Sequence, residues 1–587
     1  MSRDGAVARL RSWSRRRKVL VAVGAVVALW AVLVAVQVVS AALALRSGAH
    51  DLRTARRSAT VSQLLEPETT DRLEAARGSF ASADRAVSGP LLAPARLIPV
   101  LGRHVRAIDH LATSGRIGTD AALDVLDGLH ELEDAPHGAG ADRLAMLDRL
   151  AAMADDAAEA LDGIDPGSSS GLVGPLGDTV DEVRDERDAA KRASQRLRAV
   201  SSGLSDLLAG PETYLLLGAN NAEMRAGSGM YLSAAPLRFE DGHARLGEVQ
   251  PTADLVLDPG VVVADGDLQA NWGWLDPGRD LRQQGMSADF PQSAPLAIRT
   301  WAAATAEPAP AGVVVIDVDG IRSLLRAVGP VEVDGVRYTA DDVRGELLRE
   351  QYQRYGDDRD ARRDQLGDVA KAVFERIEDG SWELGELATQ LADAAAGRHV
   401  LIWSADPELA ATWSDLGVDG HLTQDSLAVN LINRGANKLD SWVDTAVSVT
   451  TSSGADGEGG RTVELRCTVR NRSTGEGNRY VVGPNVDGVD AGGYVGLLVV
   501  NLPAGATDVE VEGHDPFLQG GDGPTVVVGT ELTIPAGTSQ EVVIRARVPA
   551  AVDRLSIEPA ARIPPTSWSV DGTEFDRDRR RTVALGG

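Results

Sequence analysis

The chain has 587 residues, with 59 Lys+Arg against 86 Asp+Glu, a formal net charge of −27 and one cysteine. So acidic a chain excludes broad nucleic-acid binding, which needs basic residues to neutralise phosphates. A single cysteine excludes an intramolecular disulfide, and nine histidines without an HExxH spacing or a Cys/His ligand set give no zinc signature.

Residues 1–18 carry seven basic side chains and one acidic one, and Val19–Val36 is an unbroken apolar run that continues with few polar breaks to Leu45. A helix rises about 1.5 Å per residue, so roughly 20 such residues cross a bilayer core. The basic flank keeps the N-terminus cytoplasmic and sends the rest outside. Val38-Val39-Ser40-Ala41-Ala42 loosely imitates a signal-peptide cleavage site, but the length of the run favours an uncleaved anchor. The expected location is the cell membrane, single-pass, with the bulk extracytoplasmic. Beyond residue 18 the chain holds 52 basic and 85 acidic residues, a net of −33. Only four basic residues are lysine, a bias of high-GC bacterial genomes such as actinobacterial ones.

The expected fold class is α+β and multidomain. A cytoplasmic basic tail (1–18) and a transmembrane helix (19–45) lead to a helical stalk or bundle (46–209). An α/β domain (210–442), a C-terminal β-sandwich (443–575) and a tail (576–587) follow. The stalk rests on three-four apolar spacing, as at Leu147, Leu150, Met153, Ala157 and Leu161, closed by Asp165-Pro166-Gly167. In the α/β stretch, apolar runs of strand length (Tyr214–Gly218, Val313–Ile316, His399–Trp403) alternate with helical patterns. Val331–Tyr338 reads as a hairpin turning on Asp334-Gly335, and Thr339 with Asp342 as a capping box. After Trp442 short alternating strands suggest an immunoglobulin-like sandwich, in which Cys467 is a buried structural residue on the Val463, Leu465, Val469 face.

Three clusters concentrate polar chemistry. The first strand runs into Asn220, Asn221, Glu223 and Arg225, with Gly227 and Gly229 beyond, where open α/β sheets place ligands. Arg225 offers a planar fork for phosphate or carboxylate, and the glycines let backbone N–H groups approach an anion. Function is preferred there over a well-capped turn. In the second cluster, Arg359 and Arg362 stand three apart at the start of a helix, and pattern alone favours a solvated charge run. In the third, Asn433, Arg434, Asn437 and Lys438 either meet a ligand or pin the junction with the β domain. No P-loop or dinucleotide fingerprint is present.

The segments YLLLGANNAEMRAGSGM, VVVIDVDGIRSLLRAVGPVEVDG and NRGANKLD, in that order, resemble the bacterial family catalogued as domain of unknown function 4012, across roughly 211–570. A weaker resemblance is to the LytR–CpsA–Psr family of single-anchor envelope proteins, which transfer glycopolymers from polyprenyl pyrophosphate carriers to the cell wall. Leu217-Gly218 with Arg225 is similar to that family's first strand and loop. Asp317-Val318-Asp319-Gly320 through Val331 is similar to its second element, and Arg359-Asp360-Ala361-Arg362 with Gln365 loosely to its third. The family's Arg-Asp after its third strand has no counterpart at Gly247–Asp254.

This resemblance implies an extracytoplasmic protein of envelope glycopolymer assembly that binds or transfers a polyprenyl-(pyro)phosphate-linked glycan, as a phosphotransferase. Arg225, Arg359 and Arg362 would clamp phosphate, Glu223 or Asp254 would act as base or metal ligand, and a divalent cation such as Mg2+ is the implied cofactor. Expected partners are the membrane, a lipid-linked glycan or cell-wall polymer, and envelope proteins, with no nucleic acid. The alternative is a non-enzymatic envelope scaffold for polysaccharide export or cell-surface assembly.

Overall fold

A computed structural model describes residues 65–585, apart from short gaps at 136–137, 355–358, 454–459, 514 and 576, with scattered positions between Trp30 and Ser47. Most of the expected anchor, 19–45, lies outside the described residues. Among the described residues no helix is long and apolar enough to cross a membrane. The chain divides into two compact units, residues 1–135 with 149–199, and residues 136–148 with 200–587.

The first unit is helical. Pro67–Ser88 and Pro99–Asp134 both open with proline, whose missing N–H is harmless in a first turn. Their apolar stripes meet through Ala83 and Val87 on one helix and Val105, Ile108 and Ala112 on the other. Gly115 makes room for the Phe80 ring, because a Cβ there would lie 2.4 Å from it. Val34 and Ala41 belong to the same core. Helices Ala141–Asp162 and Gly174–Ala209, with the loop between them, supply residues 149–199 of this unit.

The second unit holds a mixed sheet and a β-sandwich. The strand Glu212–Met224 is central, antiparallel to Gly229–Glu240 and parallel to Gly312–Asp317. Gly312–Asp317 also pairs antiparallel with Val400–Ser404, and His243–Leu246 extends the far edge. The continuous apolar run of the central strand reflects burial on both faces. Leu215 and Leu217 pack with Phe290, Ala294 and Trp301 of the helix Phe290–Thr305. Tyr214 and Leu216 face Ile321 and Leu324 of the helix Val318–Val328, and Val369 and Val373 of Arg359–Glu378. The 331–338 hairpin forms with Asp334 and Gly335 both at positive φ, and Asp342 accepts a hydrogen bond from the Thr339 N–H at 2.7 Å.

Two six-stranded sheets build the sandwich. Cys467, Val447, Leu465 and Val469 of one sheet meet Leu431, Leu498, Val500 and Val528 of the other. Burial pushes the Cys467 thiol up to about 12, so it packs as an apolar side chain.

Two boundaries differ from the sequence reading. Ser426–Asn433, assigned to the α/β domain at 210–442, lies inside a sandwich sheet, antiparallel to Tyr494–Leu502 and parallel to Arg554–Glu558. Every residue of this strand is buried. Leu427, Val429 and Leu431 enter the sandwich core, while Ile432 packs with Trp272 and Met286 of the α/β part. A strand covered on both faces reads like one from an α/β sheet, which misplaced the boundary. Past 575, Arg581–Ala584 pairs with Arg554–Glu558 and completes the sheet rather than trailing as a tail.

Candidate functional site at the ends of the central strands

The central strand loses its register at its C-terminal end. Asn220 pairs with Met230, but Met224 then pairs with Gly229, so Asn221, Ala222 and Glu223 bulge out of the ladder. Glycine is required at 229, where a Cβ would lie 2.4 Å from the Asn220 carbonyl. Such a bulge re-aims side chains. Here it aims them at the sandwich.

Glu223 pairs with Lys438, and both side chains are buried. The Lys438 ammonium also lies 5.9 and 5.3 Å from the ring centroids of Tyr352 and Tyr480. Burial opposes the lysine's charge, but the Glu223 carboxylate and the two tyrosines outweigh it and raise its pKa. Asn220 donates to Tyr352 Oη at 3.1 Å and accepts from the Ala222 N–H at 2.9 Å. Asn221 donates to Asp317 Oδ2 at 2.7 Å and to the Ala561 carbonyl at 2.8 Å.

Arg225 is buried and donates to three carbonyls, those of Arg282, Met224 and Asn433, at 3.2, 3.0 and 3.1 Å. Burial draws its pKa down to about 10. Asn433 and Asn437 bond each other, and Asn437 reaches the Gly493 carbonyl.

The hub is Asp440, a residue within NRGANKLD that sequence reasoning did not single out. Fully buried, it accepts from the Met224 N–H (3.0 Å), Asn433 Nδ2 (2.8 Å), Tyr494 Oη (3.1 Å) and Arg562 Nη1 (3.1 Å). Arg562 continues to the Val443 carbonyl at 2.8 Å. Tyr352, Tyr494 and Arg562 lay outside the recognisable motifs; only their burial in the fold identifies them.

The remaining candidates are scattered. Asp254 is exposed on a short 3-10 turn, Thr252–Asp254. Arg359 and Arg362 open the helix Arg359–Glu378, and their side chains lie outside the described residues. Arg434 sits apart from the network, its guanidinium 4.5 Å from the centroid of the Trp274 ring.

A second polar group occupies the end of the neighbouring parallel strand. Asp317 caps the helix Val318–Val328 through the Asp319 and Gly320 N–H groups, at 2.9 and 3.0 Å. Its other oxygen meets His399 Nδ1 at 2.7 Å. His399 Nε2 lies 3.6 Å from Asp319, which Arg344 grips through both carboxylate oxygens. The Asp-Val-Asp-Gly segment carries part of the family resemblance, whereas His399 gives no signal in the sequence beyond heading an apolar run.

These residues do not form a cage for Mg2+. Glu223 is neutralised by Lys438 and Asp319 by Arg344. Among the described residues no group of three or more His, Cys, Asp or Glu side chains is arranged to hold a metal ion.

Residues 209–352 match the family described as Protein of unknown function (DUF4012). The DUF4012 stretch thus takes in the bulge, Arg225, Asp317, Arg344 and Tyr352. Asn433 through Asp440 and Arg562 lie beyond it. No curated protein and no solved structure matches the chain.

The network fixes a pH dependence. Burial disfavours the charged form of His399, but Asp317 and Asp319 outweigh this and raise its pKa above 6.5. Its contribution is complete below that value and is lost as pH rises through the folded pKa. Burial lifts Asp578, close to His399, from 3.8 to about 6, and likewise raises Asp289 and Asp522. A carboxyl raised in the fold also favours folding at low pH, but that advantage is lost between its ordinary and its folded pKa, so for Asp578 the loss is largely over at about pH 6 and His399 sets the slope above it. Melting temperature should therefore be higher at pH 6 than at pH 8, with a shallower slope in His399→Gln. A melting temperature rising from pH 6 to pH 8 would contradict this.

Proposed function

We propose that the protein is a non-enzymatic scaffold of cell-envelope glycopolymer assembly or export, anchored by its N-terminal apolar run. The observation that carries this is the placement of Arg225. A phosphate clamp needs donors open to the ligand, whereas this guanidinium is buried and directed at three backbone carbonyls. Glu223, the candidate base, is paired with a buried lysine. The motif residues of the first and third clusters join an α/β sheet to a sandwich, which suits a rigid presenting body. The apolar seam between the sheet and the helix Arg359–Glu378, lined by Gly218, Ala235 and Gly367, holds about 20 Å³. That is space for about one water, far short of a polyprenyl chain.

Transfer from a lipid carrier is the second reading, and one observation favours it. Asp317, Asp319, His399 and Arg344 gather at the C-terminal end of a strand in a parallel pair, where α/β sheets place ligands. The likeness to the LytR–CpsA–Psr family rests on short motifs.

The full chain in detergent micelles, titrated with a short-chain polyprenyl phosphate with and without Mg2+ and followed by phosphorus NMR, separates the two readings. The scaffold reading expects no saturable binding. Saturable binding would overturn it, and loss of that binding in Arg344→Gln would place the carrier at the second polar group.

A further inference from the structure

Among the described residues of this unit, Trp274 and Phe517 are large aromatic side chains left open, 51% and 45% exposed. One comes from the α/β part and the other from the sandwich. They meet edge to face, with centroids 5.6 Å apart and planes at 76°. Trp274 stands on the 3-10 turn Gly273–Leu275, whose neighbours Trp272 and Leu275 pack inward, so the turn projects Trp274 outward. Arg434 stacks on the Trp274 ring at 4.5 Å and is half buried, fixing the ring's orientation. Glu531, exposed on the sandwich strand Thr525–Ile534, pairs with Leu497, whose other neighbour across the sheet is Ile432, two residues before Arg434.

A half-exposed indole, a second half-exposed ring beside it, and a cation and a carboxylate at the margin form a coherent set. The electron-rich face of an aromatic ring attracts the slightly positive C–H groups on the flat side of a sugar ring. Guanidinium and carboxylate supply the donors and acceptors that hydroxyl groups need. Preorganisation by Arg434 lowers the cost of ordering the platform on binding. The one cation and the one carboxylate beside the rings offset each other, so the patch fits an uncharged polyhydroxyl ligand better than a polyanion.

We infer that Trp274, Phe517, Arg434 and Glu531 form a binding platform for a neutral pyranose unit of a glycan. It gives the scaffold a ligand class and rests on that reading only for its setting. If the chain also bound polyprenyl phosphate as a transferase would, the scaffold reading would fall and the platform would stand.

The test uses the full chain in detergent micelles. It is titrated with malto-, manno- and galacto-oligosaccharides, and with oligogalacturonate as the anionic comparison. Saturation-transfer NMR and calorimetry report binding. At least one neutral oligosaccharide should bind saturably, and Trp274→Ala should weaken it tenfold or more without changing the melting temperature. Phe517→Ala should weaken it less. Absence of saturable binding across the neutral panel would overturn the inference, as would equal affinity in Trp274→Ala or tighter binding of oligogalacturonate. A wild-type dimer that Trp274→Ala converts to monomer would instead make the patch a contact between copies, and would also overturn it.

Discussion

Lys438→Met should destabilise the second unit by about 3–5 kcal/mol, the usual cost of leaving one member of a buried ion pair without its partner. Glu223 would then be a buried carboxylate facing the apolar end of a methionine, beneath two tyrosine rings. Folded domains are stable by only about 5–15 kcal/mol, so this single change removes a large share. Glu223→Gln should cost less, because a neutral amide can still accept from the lysine. The double variant Glu223→Gln/Lys438→Met should recover part of the loss, since it buries no charge at all. Chemical denaturation of the four proteins gives the coupling energy directly. A coupling near zero would mean that the pair is not formed. If Glu223 were instead a base held ready for substrate, Lys438→Met would leave stability nearly unchanged.

Asp440→Asn should be at least as damaging, by about 3–5 kcal/mol. The four groups around the carboxylate are all donors: a backbone N–H, an amide, a phenol and a guanidinium. An asparagine would turn an N–H towards at least one of them and leave Arg562 buried without its counter-charge. Arg562→Met in the same background should restore some stability, as the unpaired cation is then gone. Calorimetric melting of the single and double variants tests this. An Asp440→Asn protein that melts with the parent would remove Asp440 from the centre of the joint.

Local structure was legible where local chemistry decides it. Asp334-Gly335 gave the hairpin because both residues tolerate positive φ. The alternation around Cys467 located a strand face because one side of that strand is core. The three polar clusters were also visible, but their purpose was not. Arg225 reads as an anion clamp in sequence because a strand followed by a polar loop normally ends at solvent. Here the loop ends against a second domain, and carbonyls from Arg282 and Asn433, 57 and 208 residues away, take the guanidinium. Asp440 was passed over for the same reason: its partners Tyr494 and Arg562 come from sandwich segments that no local pattern links to it. Ser426–Asn433 shows the matching limit for domain boundaries, because burial on both faces cannot reveal which two layers do the covering.

The most direct test of the joint uses the chain's one thiol. Cys467 is buried in the sandwich core, while the strand Glu212–Met224 is the centre of the α/β sheet. Thiol labelling of Cys467 and amide hydrogen exchange in Glu212–Met224 can be measured across the same denaturant series. If the buried network makes the two domains one cooperative body, both probes open with the same free energy, and Lys438→Met lowers both together. Labelling of Cys467 at denaturant concentrations where the strand amides remain protected would contradict this.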